Sequence, residues 1–189
     1  MESNSRKTQI LKEIFGYDSF RKGQEEIVDQ ILNGRDVLAI MPTGAGKSLC
    51  YQVPALLMSG ITIVVSPLIS LMIDQVKALN EAGVHAAYIN SALTERQITK
   101  ALELAAAGRY KMIYVAPERL LTPRFLDFAC HTELSMVTID EAHCISQWGQ
   151  DFRPSYVKIT EFIRQLPRRP VVSAFTATAT QKVREDILE

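Results

Sequence analysis

The segment MPTGAGKS (41–48) has residue types that bind a phosphate group where a strand leads into a helix. Gly44 and Gly46 let the backbone turn so that several N–H groups point inward, and a helix beginning near Gly46 adds its positive end. Lys47 would reach the β- and γ-phosphates of a nucleotide, and the Ser48 hydroxyl would bind Mg²⁺. The residues predicted to surround the phosphates are Thr43, Gly44, Ala45, Gly46, Lys47 and Ser48.

One position departs from the common pattern of this loop, which begins with a glycine. Met41 stands there instead, although Pro42 presets a turn and Thr43 adds a hydroxyl donor. The alternative interpretation is a glycine-containing turn with a solvated lysine. Because the glycine, lysine and serine at the end of the segment follow a strand-like run, we favour phosphate binding.

A second pair of residues would supply the rest of the chemistry. Asp140 and Glu141 come directly after the apolar run MVTI, about a hundred residues beyond the loop. Asp140 would hold Mg²⁺ through water, and Glu141 would orient or deprotonate a water that attacks the γ-phosphate. A solvated acidic strand end is the alternative. The two segments together predict ATP and Mg²⁺ as cofactors.

Short apolar runs rich in β-branched residues would position these segments. They are continuous rather than alternating, which is typical of strands buried on both faces of a parallel sheet. The runs are VLAI (37–40), ITIVV (61–65), HAAYI (85–89), MIYVA (112–116), MVTI (136–139) and VVSAF (171–175).

Helical patterns separate the strand-like runs. Residues 68–82 carry an apolar stripe that starts at Leu68, and Thr94 with Gln97 reads as a capping box. Alternating strands and helices predict an α/β fold, a doubly wound and mostly parallel sheet with helices on both faces. Each polar or glycine-containing cluster follows a strand, so all of them should meet at the carboxyl edge of the sheet.

Composition limits the function classes. The chain has 189 residues, with 21 Lys and Arg against 21 Asp and Glu, so any polyanion must be bound by local donors. The three cysteines, Cys50, Cys130 and Cys144, are widely spaced, which argues against a zinc site. We find no membrane-spanning run or signal sequence and expect one cytoplasmic domain.

Residues 140–143, Asp-Glu-Ala-His, resemble the DEAH motif of superfamily 2 helicases, in which the first glycine of the phosphate loop is commonly absent. Five other stretches then resemble the RecQ family of ATP-dependent DNA helicases, in the expected order. They are FGYDSFRKGQ (15–24, motif 0), SPLISLMIDQV (66–76, motif Ia), YVAPERL (114–120, motif Ib), CISQWGQDFRPSY (144–156, the aromatic-rich loop) and FTATAT (175–180, motif III).

The resemblance implies roles for residues of motif 0. Tyr17 would stack on adenine, Arg21 would lie near the base or ribose, and the Gln24 amide would contact the adenine edge. From spacing alone, an equally good interpretation is that Phe15, Tyr17 and Phe20 fasten an N-terminal helix to the body.

The resemblance also implies a DNA side. Trp148 lies on a polar, glycine-containing loop that suits stacking on unpaired bases, although a core anchor is the alternative. Ser66, Ser70 and Arg119 would donate to DNA phosphates, or else cap turns and lie solvated. The residues expected to bind DNA, or to couple its binding to ATP hydrolysis, are Ser66, Ser70, Arg119, His143, Ser146, Trp148, Phe152, Arg153, Thr176 and Thr178.

By this resemblance, residues 1–189 form the first RecA-like lobe of a longer enzyme. The second lobe with its arginine finger, the zinc-binding module and the winged-helix module fall outside them. An arginine finger contributes about 10³–10⁵ in rate, so we expect the isolated lobe to be nearly inactive.

The expected function is DNA unwinding in recombination and repair, in the three-prime to five-prime direction, on single-stranded or partly unwound DNA. Two alternatives stay open. One is an ATP-dependent RNA helicase lobe, against which His143 and the aromatic-rich loop argue. The other is a nucleotide-binding module that never hydrolyses ATP.

Overall fold

The computed structural model describes residues 2–42, 44–145 and 153–188. Its centre is a six-stranded sheet in the order β1-β6-β5-β2-β4-β3, with every neighbouring pair parallel. The strands are β1 (Val37–Ile40), β2 (Ile61–Val65), β3 (Ala86–Ile89), β4 (Met112–Val115), β5 (Leu134–Ile139) and β6 (Val171–Thr176). All six predicted strands are confirmed to within two residues at each end.

Helices connect the strands and cover both faces of the sheet. They are α1 (Glu2–Glu13), α2 (Gln24–Leu32), α3 (Lys47–Leu57), α4 (Ile69–Glu81), α5 (Glu95–Ala106), α6 (Pro123–Cys130), α7 (Val157–Gln165) and α8 (Gln181–Leu188). Side chains of α5, α6 and α7 pack on one face of the sheet, and side chains of α2, α3 and α4 pack on the other. The doubly wound α/β fold is therefore confirmed.

The central strands explain why the apolar runs are continuous. All five residues of β2 are buried, with Ile63 and Val65 facing one core and Val64 facing the other. Complete burial of such a side chain contributes about 1.5–3 kcal/mol, so both faces of the strand stabilise the fold.

One predicted helix start agrees with the structure and another differs. Thr94 accepts a hydrogen bond from the Gln97 backbone N–H, and the Gln97 side chain accepts one from the Thr94 N–H, which confirms the capping box. Leu68, however, precedes α4 and is 41 % exposed, so the predicted apolar stripe of that helix was wrong at this residue.

The N-terminal helix α1 packs outside the layer formed by α2 and α3. Leu11 of α1 is buried with Val28 and Val53. The Lys7 ammonium group, itself almost fully buried, lies 2.5 Å from a carboxylate oxygen of Asp29 and 2.9 Å from one of Glu25. These contacts fix α2, whose first residue is Gln24. No helix in the described ranges is long and apolar enough to cross a membrane.

Candidate active site

The predicted phosphate loop lies between the end of β1 and the start of α3. Gly44 (φ 85°) and Gly46 (φ 81°) both adopt the left-handed conformation that favours glycine. Gly46 is the N-cap of α3, with no side-chain capping bond, and Lys47 and Ser48 are the first two helical residues. Free N–H groups and the positive end of an 11-residue helix therefore face the loop, which is the geometry an anion requires.

The acidic pair lies beside this loop, as the sequence predicted. The Lys47 ammonium nitrogen is 3.9 Å from a carboxylate oxygen of Glu141. Glu141, the second residue after β5, has a φ of 52°, a conformation that few residues with a side chain adopt. Strained backbone of this kind is often found at functional sites. The positive φ is one feature of the site that no sequence signal predicted.

Asp140 lies deeper than Glu141. It is 8 % exposed, its Oδ1 accepts the Glu141 N–H at 3.0 Å, and its backbone oxygen accepts the Tyr156 hydroxyl at 2.9 Å. Burial, together with the neighbouring Glu141 carboxylate, raises the pKa of Asp140, while Lys47 opposes the shift. A buried carboxylate beside a second negative charge is a site that a cation would stabilise.

The residues present fit Mg²⁺ by the chemistry of their donors. Magnesium prefers oxygen ligands and is usually held by one or two protein groups with phosphate oxygens and water. The Ser48 hydroxyl at the start of α3 and the Asp140 carboxylate at the end of β5 are such groups. In the described part of the chain no cluster of three or more His, Cys, Asp or Glu side chains is placed to hold a metal.

His143 connects the acidic pair to the end of β6. Its Nδ1 is 3.5 Å from a Glu141 oxygen and 2.7 Å from the Thr176 hydroxyl. The Thr176 hydroxyl donates its only proton to the Thr178 carbonyl at 3.0 Å. Thr176 therefore accepts this hydrogen bond, and the Nδ1 of His143 donates it. The sequence indicated Glu141, His143 and Thr176 as separate candidates. The structure shows that they lie in one chain of contacts.

Gln24 of motif 0 lies against the phosphate loop. Its buried amide nitrogen is 3.3 Å from the Ala45 carbonyl oxygen and 3.1 Å from that of Gly46, and its amide oxygen accepts the Arg21 N–H at 2.7 Å. The amide is thus bound to the loop rather than turned to solvent. A contact to adenine requires Gln24 to exchange these bonds, so its predicted role as a base contact stays a prediction.

The Arg21 side chain also reaches the loop, since its guanidinium group donates to the Gly44 carbonyl at 2.8 Å. Tyr17 is 48 % exposed and borders a cavity of about 510 Å³ that the loop also lines. This volume lies within the range of small-molecule sites. Tyr17, Arg21 and the loop glycines therefore face one space, as nucleotide binding needs.

The same cavity is also lined by two glutamines that no sequence motif indicated, Gln52 and Gln75. The Gln52 amide donates to the buried Tyr114 hydroxyl at 3.0 Å, and the buried Tyr51 hydroxyl donates to Gln75 Oε1 at 3.0 Å. The two hydroxyls lie 3.5 Å apart. Spacing gave one usable signal, because Gln52 follows Ser48 by four residues and lies on the same side of α3.

The predicted DNA-side residues are placed as follows. Ser66 is buried, and its hydroxyl accepts the Leu68 N–H at 3.4 Å, as in the turn-capping interpretation. Ser70 is exposed in the first turn of α4, and Arg153 is exposed. A guanidinium nitrogen of Arg119 lies 3.7 Å from a Glu95 oxygen. Four other predicted site residues lie outside the described residues: Thr43, Ser146, Trp148 and Phe152.

Comparison with known proteins agrees with this geometry. Residues 21–187 match the DEAD/DEAH box helicase family. The chain belongs to this family. It is 51 % identical over 183 residues to the ATP-dependent DNA helicase RecQ of Bacillus subtilis, covering 96 % of this chain and 31 % of that protein. The chain thus spans about a third of the length of this curated relative.

Solved helicase structures share the fold. The DUF1998 helicase MrfA bound to DNA and AMPPNP matches with a TM-score of 0.75 at 17 % identity, over 96 % of this chain and 27 % of that one. A hypothetical ATP-dependent RNA helicase from Sulfolobus tokodaii matches with a TM-score of 0.74 at 20 % identity, over 98 % and 54 %. The RecA-like helicase lobe is therefore confirmed as the fold.

Proposed function

We propose that this chain is the ATP-binding first motor lobe of an ATP-dependent DNA helicase of the RecQ type. The motor would move in the three-prime to five-prime direction on single-stranded or partly unwound DNA, in recombination and repair in the cytoplasm. The observation that carries the proposal is the contact between Lys47 and Glu141, which brings the phosphate loop and the acidic pair into one site.

Each group of residues in the site would have a separate role in phosphate cleavage. Backbone N–H groups from Gly44 to Ser48 would hold the β- and γ-phosphates, and Lys47 would neutralise charge that develops on the γ-phosphate. Mg²⁺, when bound, supplies further neutralisation and would be held by Ser48 and Asp140. Glu141 would accept a proton from the attacking water.

Lys47 and Glu141 contact each other only across 3.9 Å, with both side chains partly exposed. A γ-phosphate entering this space would separate them and take over Lys47, leaving Glu141 to face the water. We propose that this exchange of partners makes the site competent for hydrolysis when ATP binds.

The contacts of His143 support a path from the site toward DNA. The chain Glu141–His143–Thr176–Thr178 runs from the acidic pair to the segment after β6. A change at Glu141 on phosphate release would alter the His143 contact and with it Thr176. The aromatic-rich loop (144–156), which contains Arg153 and follows His143 directly in sequence, would receive this signal.

The choice of DNA over RNA rests on the similarity to the DNA helicase RecQ and on the aromatic-rich loop. The fold does not decide it, because structural neighbours include a DNA-bound helicase and one called an RNA helicase.

The test is the ATPase rate of the complete protein that contains this lobe, measured with single-stranded DNA and with RNA of the same sequence and length. DNA should stimulate the rate strongly and RNA weakly. Stimulation by RNA alone would favour the RNA helicase lobe, and absence of hydrolysis with intact ATP binding would favour the non-hydrolysing module. The matched control is Lys47→Ala, which should remove stimulation by either polymer.

A further inference from the structure

Two arginines converge on one carboxylate at the carboxyl edge of the sheet. Glu95 is the first residue of α5, directly after its N-cap. One of its carboxylate oxygens lies 3.7 Å from a guanidinium nitrogen of Arg119, and the other lies 3.1 Å from one of Arg124. Each oxygen of the carboxylate therefore faces a different guanidinium group.

Arg124 is held in place from a second side. Its other terminal nitrogen donates to the Thr99 hydroxyl at 2.6 Å and to the Glu95 backbone oxygen at 3.1 Å. These neutral partners remain if the carboxylate leaves, so the guanidinium group stays oriented toward the same point. Arg124 keeps 45 % of its side-chain area in contact with solvent, which leaves room for an incoming group.

The arrangement matches the way arginines bind a phosphate. A guanidinium group presents a planar set of donors that fits the oxygens of carboxylates and phosphates alike. Glu95 is 70 % exposed on its side chain, and ion pairs as exposed as this contribute little to stability. The carboxylate can therefore be exchanged for another anion at small cost.

We propose that Glu95 occupies the place of a DNA backbone phosphate, and that Arg124 binds this phosphate together with Arg119. Glu95 then acts as a built-in competitor that weakens binding until DNA displaces it. The inference rests on the proposed function, since it assigns further contacts to the same DNA side. It adds Arg124 and Glu95 to the residues expected there, neither of which any sequence motif indicated.

A chain without net charge must bind DNA through local donors of this kind. Its 21 basic residues are balanced by 21 acidic ones, so no net field draws DNA to the protein. Without the Glu95 charge, the cluster of Glu95, Arg119 and Arg124 changes from one net positive charge to two.

The experiment measures the affinity of the complete protein for a fluorescein-labelled single-stranded oligonucleotide by anisotropy, across a series of salt concentrations. The variants are Glu95→Gln and Arg124→Gln. Glu81→Gln is the matched control, because it removes the same charge from the exposed C-terminal residue of α4, at the opposite edge of the sheet. Circular dichroism and MgATP binding verify that each variant is folded.

Glu95→Gln should tighten binding about threefold to fivefold relative to Glu81→Gln, the size expected for one exposed like charge beside a phosphate. Arg124→Gln should weaken binding and should reduce the slope of log affinity against log salt by about 0.7, the loss of one phosphate contact on a single strand.

Three results would overturn the inference. They are a Glu95→Gln affinity equal to that of Glu81→Gln, a weaker Glu95→Gln complex, and an Arg124→Gln variant with the wild-type affinity and salt slope. Failure of the wild-type protein to bind the oligonucleotide at any salt concentration would instead refute the proposed function itself.

Discussion

Charged side chains at the two edges of the sheet differ in how closely they approach their partners. At the amino edge, Arg169 holds Asp36 through two hydrogen bonds of 2.6 and 3.1 Å, and the Val172 N–H adds a third at 2.9 Å. Lys111 there donates to the backbone oxygens of Met58 and Gly60. At the carboxyl edge, by contrast, Lys47 and Glu141 stay 3.9 Å apart.

The contrast is between a pair held by two short hydrogen bonds and pairs held by single contacts, which are long for Lys47 with Glu141 and short but exposed for Arg124 with Glu95. Hydrogen-bond distances of 2.6 to 3.1 Å leave no space between Arg169 and Asp36, so this pair ties the starts of β1 and β6 together. Pairs near 4 Å, such as Lys47 with Glu141 and Arg119 with Glu95, gain little from each other and can accept an anion between or in place of a partner.

The largest expected effect comes from the carboxyl edge. Lys47→Ala and Glu141→Gln should each lower the DNA-stimulated ATPase rate of the complete protein by about a thousandfold or more, because in the proposed mechanism each removes a group that would act on the transition state. Urea unfolding should show little change in stability. Near-normal hydrolysis in either variant would show that the charged pair at the carboxyl edge is not catalytic.

A second prediction concerns the two loop glycines. A Cβ added at Gly46 would lie 2.3 Å from the Gln24 amide nitrogen, whereas one at Gly44 would meet nothing within 4 Å. Both residues have a positive φ, so Gly44→Ala should cost about 1 kcal/mol of unfolding free energy, and Gly46→Ala about 2 kcal/mol because the Gln24 amide must also leave the loop carbonyls. Urea denaturation of this chain provides the measurement.

Adding Gln24→Ala to Gly46→Ala supplies the control for that prediction. The shorter side chain removes the clash, so the double variant should recover part of the lost stability. If Gly44→Ala and Gly46→Ala lower the unfolding free energy equally, the proximity of Gln24 does not limit the side chain at position 46.

The amino edge should respond in stability alone. Burial raises the pKa of Asp36, but the hydrogen bonds from Arg169 and from the Val172 N–H outweigh it and lower the pKa below its ordinary value. Arg169→Gln should therefore cost about 0.5–1 kcal/mol at pH 7, a figure kept small because both side chains are largely exposed. The ATPase rate of the complete protein should stay unchanged.

The pH dependence of the stability difference follows from the lowered pKa of Asp36. A lowered pKa in the folded state stabilises the fold above the ordinary carboxyl pKa of about 4, and this contribution disappears as the pH falls through the folded value. Wild type and Arg169→Gln should thus converge below about pH 4 in urea titrations. A constant difference down to pH 2 would contradict this explanation.

At Asp140 the expected change in stability is small and has the opposite sign. Because its pKa is raised in the folded state, the charged form costs stability, and this cost grows as the pH rises above about 4. Asp140→Asn should raise the melting temperature by a few degrees at pH 7 while abolishing ATPase activity, and the gain should vanish in acid. A variant less stable than wild type at pH 7 would show that Asp140 is a structural residue instead.

The sequence predicted the fold well because the information is local. Each strand is a continuous apolar run, and the capping box at Thr94 lies within four residues. The phosphate loop and the acidic pair could also be placed at one edge, since parallel strands bring their carboxyl ends together. The exposure of Leu68 was missed, because periodicity alone does not show where a helix begins.

Contacts between distant side chains could not be predicted in the same way. The binding of Gln24 to the loop, the hydroxyl pair of Tyr51 and Tyr114, and the arginines around Glu95 join residues 21 to 63 positions apart. Such pairings depend on strand order and helix packing, which a single sequence does not specify. The left-handed conformation of Glu141 was equally hidden, since no glycine marks it.

One MgATP molecule should bind between the phosphate loop and the acidic pair. A crystal structure of this chain with a non-hydrolysable ATP analogue and Mg²⁺ tests it most directly. We predict phosphates on the N–H groups of Gly44 to Ser48, the metal between Ser48 and Asp140, and Lys47 moved from Glu141 to the γ-phosphate. Phosphates bound elsewhere, or an unbroken contact between Lys47 and Glu141 beside a bound nucleotide, would contradict the account.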